Sequence, residues 1–502
     1  VQHSHSINAR ARSIAPGIYE RHRPEDTTLY QVISKHYADF LTYLSDVGKG
    51  LPSYVKREFE DYLKCGQLKH GFLRVRCDDC FDEKLVAFSC KHRGFCPSCG
   101  TKRMVESAAL LVDGIFPDAP IRQWVLSLPY DLRFLLANNP EMITDVLKVI
   151  HRAIGSYVIK KAGLTIKTGK TGAVTLIQRF GSALNLNIHF HMLFLDGAYG
   201  LDENGDLVEF HAINKPTFEE MQIVLHRICE RLGRLLEKRG LLCRDAEQSY
   251  LTFDYDNEDV INDLIGSSIT YRVAVGKNKG KKVYTLQTIP AQLEDMVENK
   301  VLAKESGFSL HAGVSAKSYQ KEKIERLCRY ITRPAVSLKR LRLSETGKVI
   351  YELKNPYKNG TTHIVFEPLD FIARLAALVP RPWMNLTRFH GVFAPNSKYR
   401  KAVTGYDKSS VEESSATTIN PNQRYRMSLA ERLKRVFNMD ITICQHCLGN
   451  VRIIACIKDK NVIDKILAHI NKKRGNQGEI LKTLFIRGPP ELVSLITSNR
   501  TG

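Results

Sequence analysis

Five cysteines fall between Cys77 and Cys99, spaced Cys77-x2-Cys80-x9-Cys90-x5-Cys96-x2-Cys99. Nothing else in the chain restricts its folding as much. Each CxxC turn delivers two thiolates to one point, and a tetrahedral ion that takes four of them closes a compact knuckle. Leaving out Cys90 gives C-x2-C-x15-C-x2-C, the pattern of a four-thiolate zinc site. The spacing predicts a closed, structural Zn²⁺ on Cys77, Cys80, Cys96 and Cys99, with Cys90 and His92 as alternative ligands for one position. Pro97 and Gly100 suit the tight turn. Free thiols or a redox pair are the competing reading. Clustered CxxC pairs in a long chain without an apolar signal run at Val1–Ala15 favour metal and a reducing compartment. A second pair, Cys444-x2-Cys447, is half a ligand set, with His446 and Cys456 as possible helpers.

The chain is 502 residues long, enough for about three domains and a large core, so folding does not depend on disulfides. It carries 74 Lys+Arg against 53 Asp+Glu, a net charge of +21. That balance favours a polyanionic partner such as nucleic acid and disfavours a secreted scaffold. Cations crowd the cysteine cluster at Arg74, Arg76, Lys91, Arg93, Lys102 and Arg103. The most apolar run, Phe371 to Val379, is short and interrupted by Arg374, so no membrane span is expected. Gly169-Lys170-Thr171 lacks the upstream glycine of a phosphate-binding loop and leads into a β-branched run, which excludes a P-loop ATPase.

Apolar periodicity predicts helices around residues 29–40, 101–112, 140–162, 217–238 and 317–332. Strands are expected at Trp124–Leu128, Gly172–Phe180, Leu184–Leu195, 349–353 and 361–366, and a hairpin over 269–287 around the basic turn 276–280. Within the Leu184–Leu195 strand, Leu186, Ile188, Phe190, Met192 and Phe194 alternate onto one face. His189 and His191 therefore share the other. Two imidazoles on one strand face suit a divalent cation with open positions, although two ordinary polar-face histidines fit the same spacing. Gln178, on the preceding strand, offers an oxygen that suits a hard cation such as Mg²⁺ or Mn²⁺. On the helix at 317–332, Ile324, Leu327, Cys328 and Ile331 form a buried stripe, and Tyr330 lies off its centre near Lys323, Arg326 and Arg333. A phenol among cations can attack a phosphate; a boundary tyrosine on a solvated basic face is the plainer reading.

The order of these features resembles that of the HUH-type rolling-circle insertion-sequence transposases. The nearest likeness is to the IS91-type family and its ISCR-like single-tyrosine branch, with an N-terminal transposase zinc-binding domain. Four segments carry it: Ser89–Cys99 (SCKHRGFCPSC), Gln178–His191 (QRFGSALNLNIHFH), Leu327–Pro334 (LCRYITRP) and His390–Asn396 (HGVFAPN). The tail from Met427 to Phe437 and from Cys444 to Cys456 is also similar, and the likeness covers about residues 65–470. The resemblance implies that His189, His191 and Gln178 bind the catalytic Mg²⁺ or Mn²⁺, and that Tyr330 is the nucleophile. It further implies nicking of single-stranded DNA at element ends, a 5′-phosphotyrosine intermediate and strand transfer. Lys323, Arg326, Arg329 and Arg333 would hold the DNA. Many relatives carry a second tyrosine four residues upstream; here that position is Arg326, so a single-tyrosine enzyme is expected.

The expected fold is α+β: an antiparallel-sheet HUH nuclease domain at 116–400 with helices on one face and the metal site on the other. It follows an N-terminal helical region (1–70) and a zinc-binding module (71–115), and precedes a linker (401–423) and a small C-terminal domain (424–502). The expected setting is the bacterial cytoplasm, in association with the nucleoid, with host replication proteins as partners and no membrane. A zinc-dependent, non-catalytic DNA-binding regulator is the alternative function; it accounts for the charge and the cysteines and leaves the histidine pair and Tyr330 without a role.

Overall fold

The computed structural model describes residues 23–244, 249–252, 259–290, 302–404, 444 and 446–475. Most of the expected linker and the segment Met427–Phe437 lie outside the described residues. The chain divides into two compact units. The larger comprises residues 24–65 and 89–426, and the smaller comprises residues 1–23, 66–88 and 427–502. Both are assembled from segments far apart along the chain, where composition had suggested consecutive domains.

The larger unit is built on a six-stranded antiparallel sheet. Its strand order is Leu302–Glu305, Phe308–Ala316, Ile121–Ser127, Leu186–Leu195, Gly172–Phe180 and Thr387–Gly391. Leu186–Leu195 is a central strand, paired on both sides. Its alternation is the one expected: Leu186, Ile188, Phe190, Met192 and Phe194 all enter the main core. Helices Pro140–Lys161 and Phe218–Lys238 contribute Ile143, Ile150 and Ile154, and Val224, Leu225 and Ile228, to that core. The second of these helices starts at a capping box, in which Thr217 and Glu220 satisfy each other's backbone N–H groups. Phe190 is fully buried at the centre, so Phe190→Ala should lower unfolding stability by about 3–5 kcal/mol in a denaturant titration.

The opposite face of the sheet is not bare. Val174, Leu176, Leu193 and Leu195 form a second core with Ala108, Leu111 and Val112 of helix Pro97–Gly114 and with Ile324, Cys328 and Ile331 of helix Lys321–Ile331. Helices thus cover both faces, and the histidines lie on a face that a helix also occupies. This corrects the expected one-sided arrangement. Apolar residues below the histidine pair have to be buried, and only a helix stripe of matching period does this.

The expected hairpin at 269–287 also differs. Val260–Ile269 is a helix, capped by the Asp259 side chain, which accepts from the Ile261 N–H. Val260, Ile261, Leu264, Ile265 and Ile269 form its buried stripe, which the β-branched residues beyond it obscured. Around the basic turn the pairing is short: the Val283 N–H donates to the Tyr271 carbonyl, the Val273 N–H to the Lys281 carbonyl and the Gly280 N–H to the Val273 carbonyl, with a bridge from Arg272 to Lys282. The strand Tyr284–Gln287 pairs instead with Thr361–Phe366.

The smaller unit holds a three-stranded antiparallel sheet, Val451–Ile457, Phe72–Cys77 and Glu83–Ala87, and the helix Lys460–Gly475. Among the described residues, no helix is long and apolar enough to cross a membrane.

Candidate active site and cysteine centres

Antiparallel pairing sets Gln178 directly opposite His189, so the two side chains share a face of the sheet. His189 and His191 stand side by side, with ring centroids 4.9 Å apart. The His189 Nδ1–H donates to the Asn187 carbonyl at 2.8 Å, which leaves Nε2 as a lone pair. His191 is 6 % exposed, and its Nδ1 meets the Gln123 side-chain amide at 2.7 Å. Its Nε2 is buried and has no hydrogen-bond partner. With the amide turned so that its oxygen accepts from Nδ1–H, His191 also presents a free Nε2 lone pair. Burial holds the His189 pKa down at about 4, with Arg333 and Arg133 adding to the effect. Burial, then His189 and Arg333, hold His191 well below the usual histidine range. Both rings are therefore neutral at neutral pH, the state in which imidazole binds a cation.

Gln178 is buried, and its Nε2 donates to the Ile331 carbonyl at 2.8 Å. This leaves its Oε1 as the atom available to a hard cation. The same side chain fastens the last turn of the tyrosine helix to the histidine strands. Two neutral imidazole nitrogens and an amide oxygen on one sheet face are donors of the kind a divalent cation takes.

Tyr330 lies one residue before that anchor and is 40 % exposed. The Arg333 guanidinium sits 4.3 Å from its ring centroid, and the Lys354 ammonium sits 4.5 Å from it. Arg333 Nη1 donates to the Tyr330 carbonyl at 2.6 Å and also stacks over Phe180. The four cations expected to hold DNA do not form one patch. Arg333 is at the tyrosine, whereas Lys323 and Arg326 line an open cleft with Asp118, Tyr319 and Lys321 at the other end of the helix. Arg329 has a buried Nε with no hydrogen-bond partner.

Periodicity did not single out Gln123 or Lys354. Gln123 sits beside Arg122 in strand Ile121–Ser127, just before the apolar run Trp124–Leu126, with no periodic signal of its own. Gln123→Ala should weaken Mn²⁺ binding about 10–100-fold, the usual cost of losing a partner behind a metal ligand, with zinc content unchanged.

The cysteines converge in a different set from the expected one. Cys96 and Cys99 meet Cys65 and Cys90, and Cys77 and Cys80 meet Cys444 and Cys447; within each group the sulfur atoms lie within 4.8 Å of one another. The reason is geometric. Residues 72–87 form a hairpin, with the Cys77–Cys80 turn at its tip and the Gly66–Phe88 hydrogen bond at its base. Strands of that length separate tip from base by about 20 Å, too far for one ion. In the larger unit, Cys96 caps helix Pro97–Gly114 and Cys99 sits in its first turn. Cys90 Sγ is 3.4 Å from Cys99 Sγ, Cys65 Sγ is 3.8 Å from both Cys96 and Cys99, and the Cys90 N–H donates to Cys65 Sγ at 3.3 Å. Cys90 is thus in the group and His92 is not. The His92 ring lies between Asp61, at 2.7 Å, and Glu58, at 3.3 Å, which hold its pKa up at about 9. Four thiols converging without any other ligand fit a structural Zn²⁺.

Two family models match the chain. Residues 172–401 match the family model described as "Putative transposase", and residues 32–128 match that of a transposase zinc-binding domain. The first match contains the histidine pair, Gln178 and Tyr330; the second contains the whole Cys65–Cys90–Cys96–Cys99 group. Searches of curated proteins and of solved structures return no match. The chain belongs to the IS91-type transposases, enzymes that act on DNA, and carries their zinc-binding domain near its N-terminus.

Proposed function

We propose that this transposase is an HUH-type, single-tyrosine enzyme that cuts single-stranded DNA at element ends and transfers the strand by a rolling-circle route. Tyr330 Oη attacks the scissile phosphorus, and the bond from phosphorus to the 3′-oxygen breaks. The phenol loses its proton, the departing 3′-oxygen gains one, and the 5′ end is left esterified to Tyr330. The free 3′-OH is then available to host replication proteins as a primer. Because one ester replaces another, a 3′-OH can attack the phosphotyrosine and rejoin the strand without ATP.

His189, His191 and Gln178 would hold a divalent cation, which would supply positive charge to the scissile phosphate. Arg333 and Lys354 flank the Tyr330 ring, each over its face. They also offer positive charge to the incoming phosphate. The observation that carries this reading is the hydrogen bond from Gln178 to the Ile331 carbonyl, which joins the histidine face of the sheet to the nucleophile's helix.

The test is incubation of the full chain with single-stranded end oligonucleotides, with and without Mg²⁺ or Mn²⁺. Cation-dependent appearance of a protein-linked 5′ fragment and a free 3′ fragment is expected. Tight binding without any cut strand, over a range of end sequences and both cations, would instead favour a zinc-dependent, non-catalytic DNA-binding regulator.

A further inference from the structure

We infer that Cys77, Cys80, Cys444 and Cys447 hold a second structural zinc ion, which clasps an early hairpin and the tail of the chain into one folded unit. The matched zinc-binding domain, residues 32–128, contains Cys77 and Cys80 of this set, whereas Cys444 and Cys447 lie far beyond it.

The two halves are built alike. The Cys77 N–H donates to the Asp82 carbonyl at 2.9 Å, and the Cys444 N–H donates to the Gly449 carbonyl at 2.8 Å, the same offset in both turns. The residue after the second cysteine is left-handed in each, Phe81 at φ 60° and Leu448 at φ 65°. A non-glycine residue pays for that conformation, and two such residues at matching places mark a shared constraint on the turn. The turns face each other. Cys77 Sγ is 3.4 Å from Cys447 Sγ, and Cys80 Sγ is 3.4 Å from Cys444 Sγ. Ligands of one tetrahedral zinc stand about 3.8 Å apart, given a Zn–S bond of about 2.3 Å. The His446 N–H donates to Cys444 Sγ at 3.4 Å, as backbone groups in such knuckles do for a thiolate. His446 and Cys456, the helpers weighed from sequence, are not among the four.

The described part of this unit has a small apolar core. Among its described residues, the buried apolar side chains are Phe72, Cys77, Cys444 and Ile463. A sheet with so small a core is marginal in water and needs a staple. The strand Val451–Ile457 pairs with Phe72–Cys77, with Val451 opposite Cys77, so the metal would sit where the tail strand enters the sheet. The segments that meet are 364 residues apart at Cys80 and Cys444, which makes closing them entropically costly. Four converging thiols and one ion offset that cost.

Metal analysis of the full chain, purified under reducing conditions, tests the inference. Two zinc ions per chain are expected, falling to one in Cys444→Ser/Cys447→Ser and to one in Cys96→Ser/Cys99→Ser. Cys447→His, which keeps a zinc-competent ligand, should restore the second ion. Hydrogen exchange guards against general misfolding. In Cys444→Ser/Cys447→Ser the amides of Val451–Ile457 should lose protection at least about tenfold, while those of Leu186–Leu195 keep theirs. One zinc per chain in the unaltered protein, still present in Cys444→Ser/Cys447→Ser, would overturn the clasp. So would unchanged protection of Val451–Ile457 in that variant.

Discussion

His189→Ala/His191→Ala is expected to bind Mn²⁺ too weakly to detect and to cut single-stranded DNA at least about 10³-fold more slowly than the unaltered chain. The two rings are the nitrogen donors of the proposed centre. His191 has a buried Nε2 without a partner, an arrangement that is costly unless a ligand meets it. Removing both rings removes that unmet group, so the fold should survive. Calorimetric titration with Mn²⁺ reads the metal loss independently of activity, and zinc content reports whether the cysteine centres remain. Undiminished Mn²⁺ binding in the double variant would eliminate the histidine pair as the cation site.

Tyr330→Phe separates the nucleophile from everything around it. The substitution deletes one oxygen and keeps the ring between Arg333 and Lys354. Mn²⁺ binding should be unchanged and DNA affinity altered by no more than a few-fold, while the covalent product falls at least about 10³-fold. A merely structural tyrosine would instead lower stability and leave the chemistry in place. Tyr319 is the useful control. It is highly exposed, precedes the helix and lines the cleft at that helix's far end, so Tyr319→Phe should retain the covalent product.

The parts of the molecule that were legible in the sequence are those governed by local period. Alternation along Leu186–Leu195 put Phe190 in the core and the two histidines on the opposite face, and register then set Gln178 beside His189. The stripe Ile324–Cys328–Ile331 gave the buried side of the tyrosine helix. What was not legible depends on distant partners. Cys65 lacks a CxxC spacing, and Cys77 and Cys80 group with Cys444 and Cys447 in the smaller unit instead. Cys444 and Cys447 looked like half a site because their complement lies hundreds of residues upstream. Gln123 and Lys354 meet His191 and Tyr330 from other segments, and no single-segment pattern contains those contacts. The helix at Val260–Ile269 was obscured because β-branched residues pack as well on a buried helix stripe as on a strand.

The central claim is that one tyrosine, placed by Gln178 beside a histidine-bound cation, takes the 5′ end of a single strand. The most direct measurement is mass-spectrometric mapping of the residue that carries the nucleotide, after the full chain has reacted with a single-stranded end oligonucleotide and Mg²⁺. The account predicts the adduct on Tyr330, present with the cation and missing without it. A nucleotide attached to any other residue, or a cut strand with no protein-linked fragment, would contradict it.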